Sequence, residues 1–135
     1  MDEKTLILEA IEARRWAYAP YSHYQVGAAL CTGDGRIFRG CNIENAAFSP
    51  TCCAERTAFF KAVSEGFRQF SAIAIVAGPE GEQLTPPTPC GVCRQVMMEF
   101  CDPDTFRILL ARGPEDYQSF TLRELLPLGF GPNDL

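Results

Sequence analysis

The spacing of apolar and polar positions changes period along the chain, and each change marks an element. Over residues 5–16, Leu6, Ile7, Ala10, Ile11 and Ala13 recur at helical intervals with charges between them, which predicts an amphipathic helix. Tyr18-Ala19-Pro20-Tyr21-Ser22 stops it. Residues 25–32 read as a buried strand, Gly33-Asp34-Gly35 as a turn, and residues 36–42 as the returning strand of a hairpin. A polar loop over 44–51 leads into a helix predicted over 53–63 and closed near Gly66. Residues 71–77, Ser-Ala-Ile-Ala-Ile-Val-Ala, give a strong buried-strand pattern. A loop rich in Gly and Pro over 78–89 follows, then a short helix over 91–100, a strand over 106–111 and a helical turn over 122–126.

No repeat, low-complexity run or linker interrupts this order, so one domain over residues 1–135 is expected. The fold class is α/β, with helices packed against one mixed sheet. The first strand pair is a hairpin and therefore antiparallel. Later strands alternate with helices, which predicts parallel crossovers.

Composition narrows the partners. Apolar residues make up 47% and charged residues 21% of the 135, a globular balance. The net charge of -5 disfavours nucleic acid, because neutralising a phosphate backbone takes clustered Lys and Arg. A small substrate with little charge suits it better. No apolar stretch approaches a membrane span. The start, Met1-Asp2-Glu3-Lys4, lacks a signal-peptide layout, and the expected location is the cytoplasm.

Seven cysteines, an odd number, argue for metal ligands and reduced thiols over a disulfide scaffold. Only Cys90 and Cys93 have ligand-pair spacing with one another. Both they and Cys53 fall where a loop enters a predicted helix. Unpaired N–H groups and the positive dipole end favour thiolate there. Three thiolates from two helix starts would hold Zn²⁺ and leave one position for water, the catalytic arrangement. Glu55, two residues after Cys53, reaches the open side without being a ligand. Deaminating a cytosine ring needs hydroxide at C4, which zinc-held water supplies, and protons at N3 and the leaving ammonia. One carboxylate can shuttle them. A Cys-Ala-Glu followed by Pro-Cys-x-x-Cys is the pattern of the zinc deaminases.

From Tyr21 to Phe130 the chain resembles the small homotetrameric cytidine deaminases. The resemblance is carried by Tyr21-Ser22-His23-Tyr24-Gln25-Val26-Gly27-Ala28-Ala29-Leu30, by Asn42-Ile43-Glu44-Asn45-Ala46-Ala47-Phe48, by Cys53-Ala54-Glu55 and by Pro89-Cys90-Gly91-Val92-Cys93-Arg94-Gln95. It implies a three-layer α/β/α domain with a mixed five-stranded sheet. It also implies one zinc per subunit on Cys53, Cys90 and Cys93, with Glu55 as proton shuttle. Asn42 and Glu44 would bind the ribose hydroxyls, the backbone at Ala54 the pyrimidine, and Tyr24 would flank the base. Phe130 would cover the site from a neighbouring subunit of a homotetramer whose sites lie at interfaces. The implied reaction converts free cytidine and deoxycytidine to uridine and deoxyuridine with release of ammonia, as in pyrimidine salvage. Tyr24 stands where the family has Phe, and Phe48 where it often has Tyr.

Three thiolates leave Zn²⁺ with a net charge of -1, which makes a bound water harder to ionise. Arg56, one helical turn from Cys53, is placed to donate to ligand sulfurs and draw off that charge. Plainer readings stand beside these. Cys-x-x-C pairs also build structural zinc ribbons, Cys52 is an alternative to Cys53, and Asn42 and Glu44 suit an ordinary turn. Cys31, Cys41 and Cys101 read as buried thiols, and His23 as a loop residue. At the level of function, a related enzyme for another aminated heterocycle, such as a blasticidin-like antibiotic, and a zinc-stabilised binding module are the alternatives.

Overall fold

A computed structural model describes residues 2–135; Met1, part of the start segment read above, lies outside them. Helix α1 spans Glu3–Arg14, capped by Asp2, whose carboxylate accepts from Lys4 N. Strands β1 (Tyr24–Thr32) and β2 (Ile37–Cys41) form the expected hairpin. Helix α2 (Ala54–Ser64), strand β3 (Phe70–Pro79), helix α3 (Gly91–Phe100) and strand β4 (Arg107–Gly113) follow. Strand β5 (Asp116–Thr121) and the one-turn helix α4 (Leu122–Leu125) complete the main elements. None of the described helices is long and apolar enough to cross a membrane.

The sheet order is β2-β1-β3-β4-β5. Because β1 is antiparallel to both β2 and β3, those two run parallel with β1 between them, so β2-α2-β3 is a parallel crossover. The β3-α3-β4 unit is another, its strands directly paired. The alternation of strands and helices therefore gave the right crossovers, but not the end of the sheet. Strand β5 returns antiparallel on β4 as an edge. Its sequence, Asp-Tyr-Gln-Ser-Phe-Thr, is exposed over its first half and has no alternating apolar face, so only the family resemblance announced it.

Burial follows the strand period of two and divides the core into two layers. Ala28, Leu30, Ile73, Ile75 and Ile108 point toward α2 and α3, where Phe59 packs against Phe70, Phe100 and Phe106. Ala29, Cys31, Ala72, Ala74, Val76 and Leu109 point the other way, onto Leu6, Ile7 and Ala10 of α1. The result is the expected three-layer α/β/α arrangement.

Both helix layers sit unusually close to the sheet. Helix α2 presents Ala54, Ala58 and Ala62, all fully buried at four-residue spacing, to the end of the hairpin. A Cβ on Gly40 would lie 2.3 Å from the Ala54 carbonyl oxygen and 2.6 Å from Ala58 N. Small residues on both sides thus bring the first turn of α2, and with it Cys53, down onto β2. On the opposite face Gly27 does the same for α1, and Arg14 then reaches past it. Its guanidinium donates to the carbonyls of Gln25, Gly78 and Pro79, at 3.0, 2.9 and 2.9 Å. These contacts clamp the start of β1 to the end of β3, the edge of the sheet where α2 and α3 begin.

Gly40→Ala tests this seating. The added methyl meets backbone, which cannot swing aside, so the unfolding free energy should fall by about 1–3 kcal/mol, the usual cost of overpacking. The measurement is the urea midpoint at unchanged slope; an unshifted midpoint would mean α2 lifts off the sheet without cost.

Candidate metal centre and substrate cleft

Cys53 is the N-cap of α2 and Cys90 the N-cap of α3, both with extended backbone that turns their side chains toward the gap between the helices. Cys93 lies in the first turn of α3, and its backbone N–H donates to Cys90 Sγ at 3.4 Å. The sulfurs of Cys53 and Cys90 are 3.7 Å apart and those of Cys90 and Cys93 3.4 Å. All three lie within 4.8 Å of one another, the one such group of potential metal ligands among the described residues. Tetrahedral zinc with Zn–S bonds of about 2.3 Å would set its ligand sulfurs roughly 3.8 Å apart. Both the spacing and the soft, all-sulfur donor set therefore fit zinc.

The trio decides between the readings left open by the sequence. Cys52 stays outside it and accepts instead from the Thr57 hydroxyl at 3.7 Å. No fourth Cys, His or carboxylate joins it among the described residues, which gives three protein donors where a closed ribbon site uses four. His23 lies in a loop at positive φ, beside Glu80 at 3.4 Å and away from the cysteines. Cys31 is buried, whereas Cys41 and Cys101 are only partly so.

Two neighbouring residues of α2 meet the trio with opposite charge. Arg56 donates through Nη2 to Cys53 Sγ at 3.4 Å, and its buried Nε has no partner of its own. The Cys93 thiol beside the Cys53 sulfur, together with Arg56, holds Cys53 below the ordinary thiol range. The same contact, with burial, holds the Cys93 proton above the ordinary thiol range. Contact with these sulfurs raises the Arg56 guanidinium further, so it stays charged. Glu55 is 4% exposed. Burial, reinforced by the Cys53 charge, lifts its carboxyl from the usual carboxylate range to about 7.

A cleft of about 370 Å³ opens over the trio. It is lined by Cys53, Ala54, Glu55 and Cys90 beside the sulfurs, by Tyr24, Val26 and Asn42 from the hairpin side, and by a wall of Pro86, Pro87 and Thr88. Glu44 and Thr51 stand at the rim. The structure thus gathers every sequence-predicted binding residue except Phe130. That residue is 58% exposed and does not line the cleft of its own chain; its carbonyl accepts from Gln95 Nε2 at 2.8 Å. A larger cavity of about 620 Å³, between Met98 and Asp134, lies apart from the three clustered cysteines.

The polar groups at the rim are already fixed. Asn42 accepts from Val26 N at 2.9 Å and donates to the Tyr24 carbonyl at 2.8 Å, stitching β2 to β1. Glu44 accepts from the backbone N–H groups of Tyr21 and Ser22 at 2.9 and 3.1 Å, and from the Ser22 hydroxyl. These donors hold its carboxyl below the usual range, the Ser22 hydroxyl most of all. Neither residue lies in a turn: both flank the isolated bridge at Ile43, organise local backbone and line the cleft as well. Sequence reasoning missed the Pro86-Pro87-Thr88 wall. The Pro cluster ahead of Pro89 was its only signal.

Comparison with known proteins agrees with this geometry. Residues 1–108 match the family of the cytidine and deoxycytidylate deaminase zinc-binding region. A cytidine deaminase of Sporosarcina psychrophila is 52% identical over 135 residues, covering 100% of this chain and 96% of its own. One from Halalkalibacterium halodurans is 53% identical, with 100% and 98% covered. The crystal structure of the Burkholderia pseudomallei cytidine deaminase superposes with a TM-score of 0.87 at 46% identity, covering 96% of this chain and 100% of that one. Sharing their zinc-binding region, their fold and about half their residues, the chain belongs to the cytidine deaminase family.

Proposed function

We propose that this chain is a zinc-dependent deaminase of free cytidine and deoxycytidine, converting them to uridine and deoxyuridine in pyrimidine salvage. The observation that carries the reading is a buried Glu55 beside the three-sulfur group, lining a nucleoside-sized cleft. Cys53, Cys90 and Cys93 hold the metal. Bound zinc supplies the Lewis acid that ionises water near neutral pH.

The protein's own groups do the rest. Glu55, raised toward neutrality by its burial, takes a proton from water and delivers it to N3 of the ring as oxygen adds at C4. It then moves the second proton of that water to the 4-amino group, which leaves as ammonia. One water is consumed and the product keeps the proton on N3, so the exchange balances. Arg56 draws negative charge from the Cys53 sulfur. The backbone at Ala54 meets the pyrimidine, Tyr24 flanks it, and Asn42 and Glu44 receive the sugar hydroxyls.

Residues 1–135 act as one domain in this reading, in the cytoplasm, on a small nucleoside and without nucleic acid or membrane. Assembly as a homotetramer is part of it. The exposed rings of Phe130 and Phe48, the latter 78% exposed, are what a neighbouring subunit would cover. Phe130 would then close the cleft of another copy.

The direct test is to incubate zinc-loaded protein with cytidine, deoxycytidine, cytosine and dCMP while following absorbance and ammonia. Turnover of the two nucleosides is expected; none with either would sink the reading, and turnover confined to a nucleoside antibiotic would redirect it. Glu55→Gln should keep one zinc per chain while activity drops by at least ~10²–10⁴-fold. Loss of zinc in that variant would make Glu55 a ligand instead. Arg56→Gln should also retain zinc, turn over more slowly and show a pH–rate profile displaced upward. An unchanged profile at full rate would remove Arg56 from the chemistry.

A further inference from the structure

The hydroxyl of Tyr24 is engaged within the chain. Tyr24 lies on the sheet face of Ala28 and Leu30, the face that carries α2 and α3. Its ring reaches across the end of β3 and sets its hydroxyl 3.0 Å from Thr85 Oγ1. Thr85 Oγ1 itself donates to the Ala77 carbonyl at 3.4 Å, which leaves the tyrosine as donor to it. The Thr85 backbone N–H also binds Ala77 O, at 2.7 Å.

Thr85 is followed directly by Pro86 and Pro87, whose rings fix φ, and then by Thr88; these three form one wall of the cleft. A stiff segment of this kind takes its position from its anchor. Tyr24 itself lines the same cleft. One hydrogen bond therefore ties the β1 side of the cleft to the anchor of the Pro-Pro segment at the sheet edge. Upstream, the loop has a second tie, from Glu80 N to the His23 carbonyl at 2.7 Å. A phenylalanine at position 24 would fill the same volume and leave the anchor of the Pro-Pro wall held only by the bonds of Thr85 to Ala77 O and by the loop's backbone ties.

We propose that Tyr24 and Thr85 form a latch that fixes the Pro86-Pro87-Thr88 wall and so narrows the range of ring substituents the cleft admits. The selectivity part rests on the nucleoside deaminase reading above. Tyr24 acts here as a positioning residue through its hydroxyl, separately from its ring.

The test compares Tyr24→Phe, Thr85→Val, their double variant and Thr85→Ser, all as zinc-loaded full chains. Native-state amide exchange reads the latch without any assay of activity. Exchange at Thr85, whose N–H is bonded to Ala77 O, should quicken roughly 3- to 10-fold in Tyr24→Phe and Thr85→Val, the worth of one ordinary hydrogen bond. It should quicken no further in the double variant and stay at the parent rate in Thr85→Ser. The second readout is the kcat/KM ratio of 5-methylcytidine to cytidine. That ratio should rise severalfold in the two single variants through a lower KM for the methylated nucleoside, with Thr85→Ser at the parent value. Unchanged exchange, or additive effects in the double variant, would overturn the latch. Faster exchange with an unmoved ratio would overturn its role in selectivity. Failure of the parent protein to deaminate cytidine would sink the functional reading instead, and the exchange data would still decide the latch.

Discussion

The meeting of two helix starts is the constraint on which the rest of the molecule depends. Cys53 and Cys90 cap different helices, and their sulfurs stand 3.7 Å apart. Each helix is the crossover of a parallel pair, so both begin at the same edge of the sheet. Edges of this kind, at the carboxyl ends of parallel strands, are where open α/β sheets place their ligands. The sheet alone would not bring the sulfurs this close. The alanine stripe of α2 against Gly40 removes the side-chain thickness that normally separates a helix from a strand, and the first turn descends to where Cys90 can meet it.

Once the sulfurs are placed, the adjacent residues fall into opposed electrostatic roles by helix geometry alone. Position 55 turns inward to the cleft and loses water; position 56 turns along the helix to the sulfur of Cys53. A carboxyl deprived of water keeps its proton longer, and a guanidinium held against thiols keeps its charge. One residue is thus suited to exchanging protons and its neighbour to remaining cationic. Neither property belongs to the side chain in isolation.

Much of this was legible in the sequence, for identifiable reasons. The buried strands β1 and β3 and the helix starts carry strong periodic signals, and the cysteines sit at boundaries that punctuation residues mark. Strand β5 was not legible from pattern because an edge strand with one half in solvent needs no apolar alternation. The Pro86-Pro87-Thr88 wall was missed for a different reason: its importance lies in what it faces, and facing is a property of the folded chain. Arg14 gave no sign of its clamp either, since its partners are carbonyls 11 to 65 residues away. Sequence spacing identifies groups brought together by one helix or one turn. It is silent on groups brought together by the sheet.

The carboxylate of Glu44 shows what such pre-assembly does to recognition. Three donors from Tyr21 and Ser22 already hold it, so its rotamer is chosen before anything enters the cleft. Immobilising a free glutamate on binding would typically cost about 0.5–1.5 kcal/mol, and here that ordering belongs to folding instead. Its negative charge is also partly spent on those donors, which weakens its pull on any passing cation. What remains is a set of lone pairs at fixed angles, so a ligand met there would be selected by direction more than by charge.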